Sequence, residues 1–288
     1  MIYVNIIGGL GNQMFQYAFY EQLRFLYGRN NVKAFRNDFE HYFLREFELT
    51  KIFDLQIEFA DRQEVHKFTH TSFLTKIARR LSSNKYISEK NYLGKVEIND
   101  LVSRYKNVFF YGYWQSESYF KEVGPVIQKH FSFPLYRLGR RNEEIREKIL
   151  NHESVSIHVR RGDYLTSGVY EELGYVCNNG YYQNAIDWVN KKVDDPVFFV
   201  FSDDMEYCKN ELNFRGNRNY FVDWNTNENS FWDMYLMSVC KNNIIPNSSF
   251  SWWSAWLNDH ENKIVVTPKE WMRNDYTKGR IPDSWNRI

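Results

Sequence analysis

Charge of one sign is missing from this 288-residue chain: 37 Lys and Arg stand against 36 Asp and Glu, a formal net charge of +1. A nucleic-acid partner would call for a basic excess, so no global field points to one and function has to come from local sites. Cysteine is scarce, with only Cys177, Cys208 and Cys240. An odd, widely spaced set fits free thiols in a reducing compartment rather than a disulfide framework, and no Cys or His spacing suggests zinc. The sequence holds no Asp-x-Asp triplet, which argues against a metal role for its acidic pairs. No apolar run approaches the roughly 20 residues that a membrane span requires. The apolar segment 1–7 carries no basic leader and runs straight into glycines, so a cytoplasmic protein is expected. Internal repeats and low-complexity stretches are absent too.

What the chain does have is 43% hydrophobic and 18% aromatic residues, enough for a substantial core, in a length that suits two modest α/β domains. Residues 2–7 read as a strand, Gly8-Gly9-Leu10-Gly11 as a tight turn, and Phe15, Phe19, Leu23 and Leu26 as one helix face; with a strand over 32–35 this gives a βαβ opening. From residue 154 onward, β-rich runs at 155–159, 197–201, 220–222, 243–245 and 264–266 alternate with helical segments at 181–189, 231–239 and 250–257. That order predicts a parallel, doubly wound sheet. The crossing Ser132-Phe133-Pro134-Leu135 divides the chain into an N-terminal α/β domain, 1–134, and a C-terminal Rossmann-like domain, 135–288. Between residues 61 and 106 ten basic residues face five acidic ones, and Phe73, Leu74, Ile77 and Leu81 form an amphipathic stripe beside Lys76, Arg79 and Arg80. Two readings stand for it: a solvated helix packed on its domain, or a peripheral contact through 73–81 with the inner face of an anionic membrane or a lipid-linked acceptor.

Ligands of open parallel sheets bind beyond the carboxyl ends of the strands, and three clusters occupy such positions. In Ser156-Ile157-His158-Val159-Arg160-Arg161-Gly162-Asp163, alternation puts His158 and Arg160 on one face of a strand whose other face carries Ile157 and Val159. Arginine offers paired donors that match phosphate oxygens, with Asp163 placed to hold a guanidinium; a surface ion pair beside a satisfied histidine is the plainer alternative. In Phe201-Ser202-Asp203-Asp204, a carboxylate can accept both N–H donors on the Watson–Crick edge of guanine, which suits Asp203, while capping of the next helix by Ser202 or Asp203 explains the same residues. In Asn247-Ser248-Ser249-Phe250, hydroxyl residues open a helix whose first-turn N–H groups suit a diphosphate, or simply cap it. Trp252, Trp253 and Trp256 read as packing rather than sugar platforms. The turn at 8–14 imitates a dinucleotide fingerprint, but Met14 stands where a small residue is needed, and Asp38 lies at the distance of a ribose contact.

Five stretches together, GGLGNQMFQYAF at 8–19, GYWQSESYF at 112–120, HVRRGDY at 158–164, FSDD at 201–204 and NSSFSWWSAWL at 247–257, resemble the bacterial alpha-1,2-fucosyltransferases of glycosyltransferase family 11, over nearly the whole chain. The resemblance implies a GT-B-like fold, two facing Rossmann-like domains with the acceptor side on the N-terminal one and GDP-fucose on the C-terminal one, and no metal or other cofactor. It implies Arg160 on the donor diphosphate, His158 and Asp203 at the nucleoside, and Ser248, Ser249 and Phe250 around phosphates and base. Gly11, Asn12 and Gln13 are implied in an N-terminal loop that closes on the donor. Transfer of L-fucose with inversion to O2 of a terminal galactose, on an oligosaccharide or lipid-linked glycan such as an O-antigen unit, is the expected reaction. Asp163 and Asp38 are the candidates for the base, each with an alternative role, in orienting an arginine or holding acceptor hydroxyls. A glycosidase or a carbohydrate-binding protein would also use the aromatic residues, but leaves HVRRGD and FSDD without a task.

Overall fold

A computed structural model of the protein describes residues 1–36, 46–69, 83–89, 93–177, 180–273 and 279–288. Asp38 and the stripe at 73–81 lie outside the described residues. The chain divides into two compact units, one from Met1 to Ser132 and one from Phe133 onward, with Gly279 and Arg280 returned to the first. The break falls two residues ahead of the boundary read from the sequence, and the return of Gly279 was not anticipated.

In the first unit, strands β1 (Ile2–Asn5), β2 (Val32–Phe35), β3 (Asn84–Ser88) and β4 (Asn107–Tyr111) form a parallel sheet in the order β2-β1-β4-β3. β1 sits between two neighbours, with Ile2 opposite both Val32 and Val108, and all four of its residues are buried. A parallel strand covered on both faces needs an unbroken apolar run, which Ile2-Tyr3-Val4 supplies. The helix Leu10–Tyr27 follows from Gly9 with no side-chain cap. Phe15, Phe19 and Leu23 are buried as the spacing predicts, yet Gln13, Gln16, Glu21 and Gln22 are buried with them. Polar groups survive there by finding partners: Gln16 Oε1 accepts from Ile7 N at 2.8 Å while its Nε2 donates to Gly112 O at 2.8 Å, and Glu21 pairs with Arg24 at 2.7 Å. Strands β3 and β4 went unread in the sequence. The residues of β3 are only partly buried or exposed, so it carries no apolar run, and the short run of β4 does not by itself distinguish strand from helix.

The second unit holds six parallel strands, β5 (Glu153–Val159), β6 (Pro196–Ser202), β7 (Asn219–Val222), β8 (Asn242–Ile244), β9 (Val265–Thr267) and β10 (Asn286–Arg287), in the order β10-β9-β8-β5-β6-β7. Counted within the unit, this is the 3-2-1-4-5-6 arrangement of nucleotide-binding sheets, which binds its ligand where the strand order reverses. Here the reversal lies between β5 and β8, which are hydrogen-bonded neighbours. The helix Tyr181–Val189 has the expected ends, and Phe231–Ser238 and Ser249–Leu257 begin and end within one residue of expectation. Short helices Arg140–Leu150 and Met205–Glu211 and the edge strand β10 had no signal that set them apart. Trp252 and Trp253 are fully buried and make ring contacts with Trp256 and Trp285, so they belong to the core. All three cysteines are free and buried, and burial pushes the Cys177 thiol up to about 12 and Cys208 up to about 11. No helix among the described residues is long and apolar enough to cross a membrane.

Asp233, in the first turn of Phe231–Ser238, is the odd ionisable group of this unit. Burial raises its pKa to about 8 against the opposing hydrogen bond from Asn225, whose Nδ2 donates to Asp233 Oδ1 at 2.8 Å and to Asn142 Oδ1 at 3.0 Å. A folded-state pKa raised from 3.8 means that the folded chain holds the proton more tightly than the unfolded one. The stability this contributes is full below pH 3.8 and is lost as the pH rises through about 8. Asp233→Asn keeps an oxygen facing Asn225 and removes the titration. Thermal unfolding should show its Tm above wild type at pH 8 by at least about 2 °C and close to wild type at pH 4; a lower Tm at pH 8 would contradict the assignment.

Candidate active site

Strand β5 is buried from Ser154 to Val159 and then delivers Arg160 at its carboxyl end, beside β8. A guanidinium so placed must be neutralised. Arg160 Nη1 lies 2.9 Å from Asp203 Oδ2 and Nη2 lies 2.7 Å from Asp163 Oδ1. Burial works against the charge, but Asp203 and Asp163 outweigh it and hold the Arg160 pKa above the ordinary arginine range. The two carboxylates differ in how firmly they are held. Asp203, at 27% exposure, also accepts from Arg161 N at 2.9 Å, and Gly162 passes so close that a Cβ there would sit 2.9 Å from the Asp203 carboxylate. Asp163, 57% exposed, stands at the start of the turn Asp163–Leu165.

Next to them, Arg161 Nε donates to Asp204 Oδ2 at 3.0 Å while its guanidinium lies over the Tyr207 ring at 3.7 Å. Asp204 Oδ1 accepts from Tyr207 N at 3.1 Å. The helix Met205–Glu211 is therefore capped by Asp204, not by Ser202 or Asp203, the residues the sequence offered for that task. Ser202 Oγ instead donates to Val159 O at 2.9 Å and accepts from Asp204 N at 2.9 Å, joining the ends of β5 and β6. With both Asp203 oxygens engaged by Arg160 and Arg161, its visible work is to position arginines.

His158 is 7% exposed, and burial, then Arg160, lowers its pKa to about 4 against the pull of Asp203. It is neutral above that pH. Its Nδ1 has no hydrogen-bond partner among the described residues, a defect that costs about 1–3 kcal/mol in a buried group and marks a place for a ligand or water. The Phe250 ring lies 5.7 Å from the imidazole. Phe250 and Ser249 are partly exposed in the first turn of Ser249–Leu257, and Ser248 at the N-cap makes no side-chain cap bond. The first-turn N–H groups thus receive no acceptor from the cap, leaving the positive end of the helix open to an anion.

A buried amide that the sequence did not single out for a structural task locks this arrangement. Asn247 Nδ2 donates to Leu173 O at 3.1 Å and to Trp271 O at 2.8 Å, and the backbone carbonyl of Asn247 accepts from Tyr164 Oη at 2.9 Å. Tyr182 Oη accepts from Arg160 N at 3.2 Å, and Tyr181 Oη donates to Ile245 O, so one helix end orders the turns after both β5 and β8. Asp233 was also missed, because nothing in FWDMYLMS marks its aspartate as more than a polar break in an apolar helix. Phe231–Ser238 packs against Ser249–Leu257, and each runs from the carboxyl to the amino edge of the sheet into or away from β8. Asp233 and Phe250, both in first turns, are therefore at the same edge, and Asp233 retains partial exposure.

In the first unit, Gly11 is buried in the first turn of Leu10–Tyr27. Gln13 Nε2 donates to Gly8 O at 2.7 Å and Glu46 O at 2.9 Å, and its Oε1 accepts from Glu48 N at 2.9 Å. That amide shapes its own loop. Asn12 Oδ1 accepts from Gln115 Nε2 at 2.7 Å. Among the described residues no group of His, Cys, Asp and Glu is arranged to hold a metal.

The profile described as Glycosyl transferase family 11 matches residues 1–288. An alpha-1,2-colitosyltransferase of Escherichia coli is 32% identical, the alignment covering 100% of this chain and 99% of that protein. The O-antigen biosynthesis glycosyltransferase WbnK of Escherichia coli is 33% identical, with 99% of each covered. Among solved structures, a mutant of Arabidopsis thaliana FUT1 in complex with GDP is similar with a TM-score of 0.52 at 12% identity, covering 92% of this chain and 70% of that one. That likeness is one of fold, and it puts the two Rossmann-like units in the GT-B-like class expected from the sequence. Matched from its first residue to its last, the chain belongs to glycosyltransferase family 11.

Proposed function

We propose that this glycosyltransferase moves L-fucose from GDP-β-L-fucose to O2 of a terminal galactose, with inversion and without a metal. The observation that carries the reading is Arg160, a charged donor fork at the point where the strand order of a nucleotide-binding sheet reverses. The diphosphate of the donor would replace Asp163, the more exposed of Arg160's two partners, while Asp203 keeps the guanidinium aimed. As the anomeric bond breaks, negative charge grows on the leaving GDP. Arg160 and the open helix start at Ser248 and Ser249 are preorganised to meet it, the kind of electrostatic help that usually supplies most of the rate.

His158, neutral and short of a partner at Nδ1, and Phe250, whose ring lies against it, are assigned to the nucleoside. Asp203, expected there by resemblance, already accepts from Arg160 and Arg161, and this reading assigns its remaining lone pairs to the two guanine donors. Asn12 and Gln13 enter this reading through the loop they hold. Asp163, which the arriving diphosphate would release from Arg160, and Asp38 stay the candidates for the base, Asp38 also for an acceptor contact. The acceptor is a galactose-terminated oligosaccharide or lipid-linked glycan of the O-antigen kind, in line with the names of the Escherichia coli relatives. A colitosyl donor is the second reading, favoured by the full-length similarity to a colitosyltransferase. Colitose is fucose lacking one hydroxyl, and a site built to hydrogen-bond that hydroxyl rejects the deoxy sugar strongly.

Purified protein given GDP-fucose, lactose and EDTA should release GDP and place fucose on galactose O2. Arg160→Ala should lower that rate at least about 1000-fold, as loss of a transition-state donor does, while circular dichroism still shows a folded protein. An active Arg160→Ala protein would remove the assignment. For the base, wild type should bind GDP more tightly than inosine diphosphate, which lacks the exocyclic amine, by about tenfold. Equal binding of the two diphosphates would remove the guanine reading.

A further inference from the structure

The loop after β1 and the segment GYWQSESYF, two of the five stretches that single the sequence out, meet inside the first unit. β1 leads to β2 on one side and β4 comes from β3 on the other, so the connections part between β1 and β4, and ligands of such sheets lie beyond the strand ends at that point. Gln16 ties Ile7 N to Gly112 O, Gln115 holds Asn12, and the Tyr113 ring lies beside Gly8. We propose that Tyr111 and Tyr113, with Glu89 and Gln115, form a platform for the acceptor saccharide.

Tyr111 and Tyr113 are 40% and 43% exposed at and just beyond the end of β4. Among the described residues of the unit, the other exposed large apolar side chains, Phe25, Val96 and Val126, are scattered singly on helices, which is ordinary for a protein surface. The two tyrosines are different because each is backed. Tyr111 stacks on Tyr86 with centroids 6.0 Å apart, and Tyr86 stacks on Phe109 at 5.6 Å. Tyr113 is held through its backbone: Glu89 Oε2 accepts from Tyr113 N at 2.7 Å and from Trp114 N at 2.9 Å. This clasp needs glycine at 112, since a Cβ there would collide with Glu89.

Trp114, fully buried, sits at φ +55 with its Nε1 unpartnered among the described residues. A bulky residue in the left-handed region persists only where its surroundings force it, and such residues gather at functional sites. Here the strained turn has one visible result: it buries Trp114 while leaving Tyr113 facing out. Burial, then Tyr111 and Glu89, raises the Tyr113 pKa, so its hydroxyl stays a neutral donor.

A pyranoside offers the matching chemistry, an apolar face of C–H groups for a ring and hydroxyls for carboxylate and amide groups. Glu89 brings negative charge and the residues named bring no cation, which suits a neutral glycan and not an anionic nucleotide. The inference rests on the glycosyltransferase reading above, in which a second sugar must be held, and it gives that sugar its residues.

The test uses the full chain with lactose as the acceptor probe. Tyr113→Ala should raise the KM for lactose about tenfold, the scale of one lost ring contact with its hydrogen bond. Tyr113→Phe, which keeps the ring, should stay within about threefold of wild type, and the Kd for GDP and the acceptor-free release of GDP from GDP-fucose should not change in either. An unaltered lactose KM in Tyr113→Ala, or an equal change in GDP binding, would overturn the platform. If wild type releases no GDP from GDP-fucose, the donor reading fails separately, and saturation-transfer NMR of lactose on the same proteins decides the platform. Signal lost in Tyr113→Ala and kept in Tyr113→Phe supports it; equal signal in all three, or none with wild type, rejects it.

Discussion

A guanidinium at the end of a buried strand sets the terms for the second unit. Arg160 leaves β5, whose last six residues are buried, and its charge can be carried there only if carboxylates and hydrogen bonds surround it. Asp203 reaches it from the end of β6 and also takes the backbone N–H of Arg161. The β5 and β6 ends are thereby fixed to each other, and the glycine between Arg161 and Asp163 is required by the same closeness. Two guanidiniums, Arg160 and Arg161, face three carboxylates, Asp163, Asp203 and Asp204. In the proposed reading an arriving diphosphate takes the place of one of them. Exposure picks out Asp163, which makes the ion pair both a structural clamp and a vacancy that a phosphate can fill.

Amide side chains do comparable work throughout. Asn243, fully buried on β8, donates to Ser156 Oγ and Met237 O and accepts from Asn258 Nδ2, each at 2.8 Å. Asn247 holds the turns after β5 against the C-terminal segment at Trp271, and Gln13 and Gln16 hold the loop after β1. A buried amide with its donors and acceptors filled specifies one arrangement of backbone, because any other leaves a polar group without a partner. The candidate ligand positions are lined by such pinned turns, and pinned geometry is what lets charged groups act on a transition state without first rearranging.

Much of this was legible in the sequence for physical reasons. Parallel strands covered on both faces demand unbroken apolar runs, so β1, β5 and β6 stood out, and polar residues interrupting β5 at His158 and Arg160 pointed to its carboxyl end. The motif pattern gave the family, which the full-length match bears out. What stayed hidden depends on contacts between distant residues. Nothing near Asp203 announces that both its oxygens belong to arginines more than 40 positions earlier, as its contacts with Arg160 and Arg161 show. Asp204 takes the capping role expected of Ser202 or Asp203 because the cap is decided by the turn's geometry and not by residue type alone. The edge strand β3 escaped because edge position removes the burial that creates the signal, and Asp233 because an isolated carboxylate looks alike in sequence whether it is charged in water or protonated against Asn225.

The central claim is that the carboxyl edge of the second unit binds a guanine nucleotide through its diphosphate. Calorimetric titration of the wild-type protein in EDTA with GDP, GMP and UDP tests it most directly. The account predicts that GDP binds, that GMP binds at least about tenfold more weakly for want of the phosphate that Arg160 and the helix start would hold, and that UDP binds more weakly still because the base contacts are lost. No binding of GDP, or equal binding of all three, would contradict it.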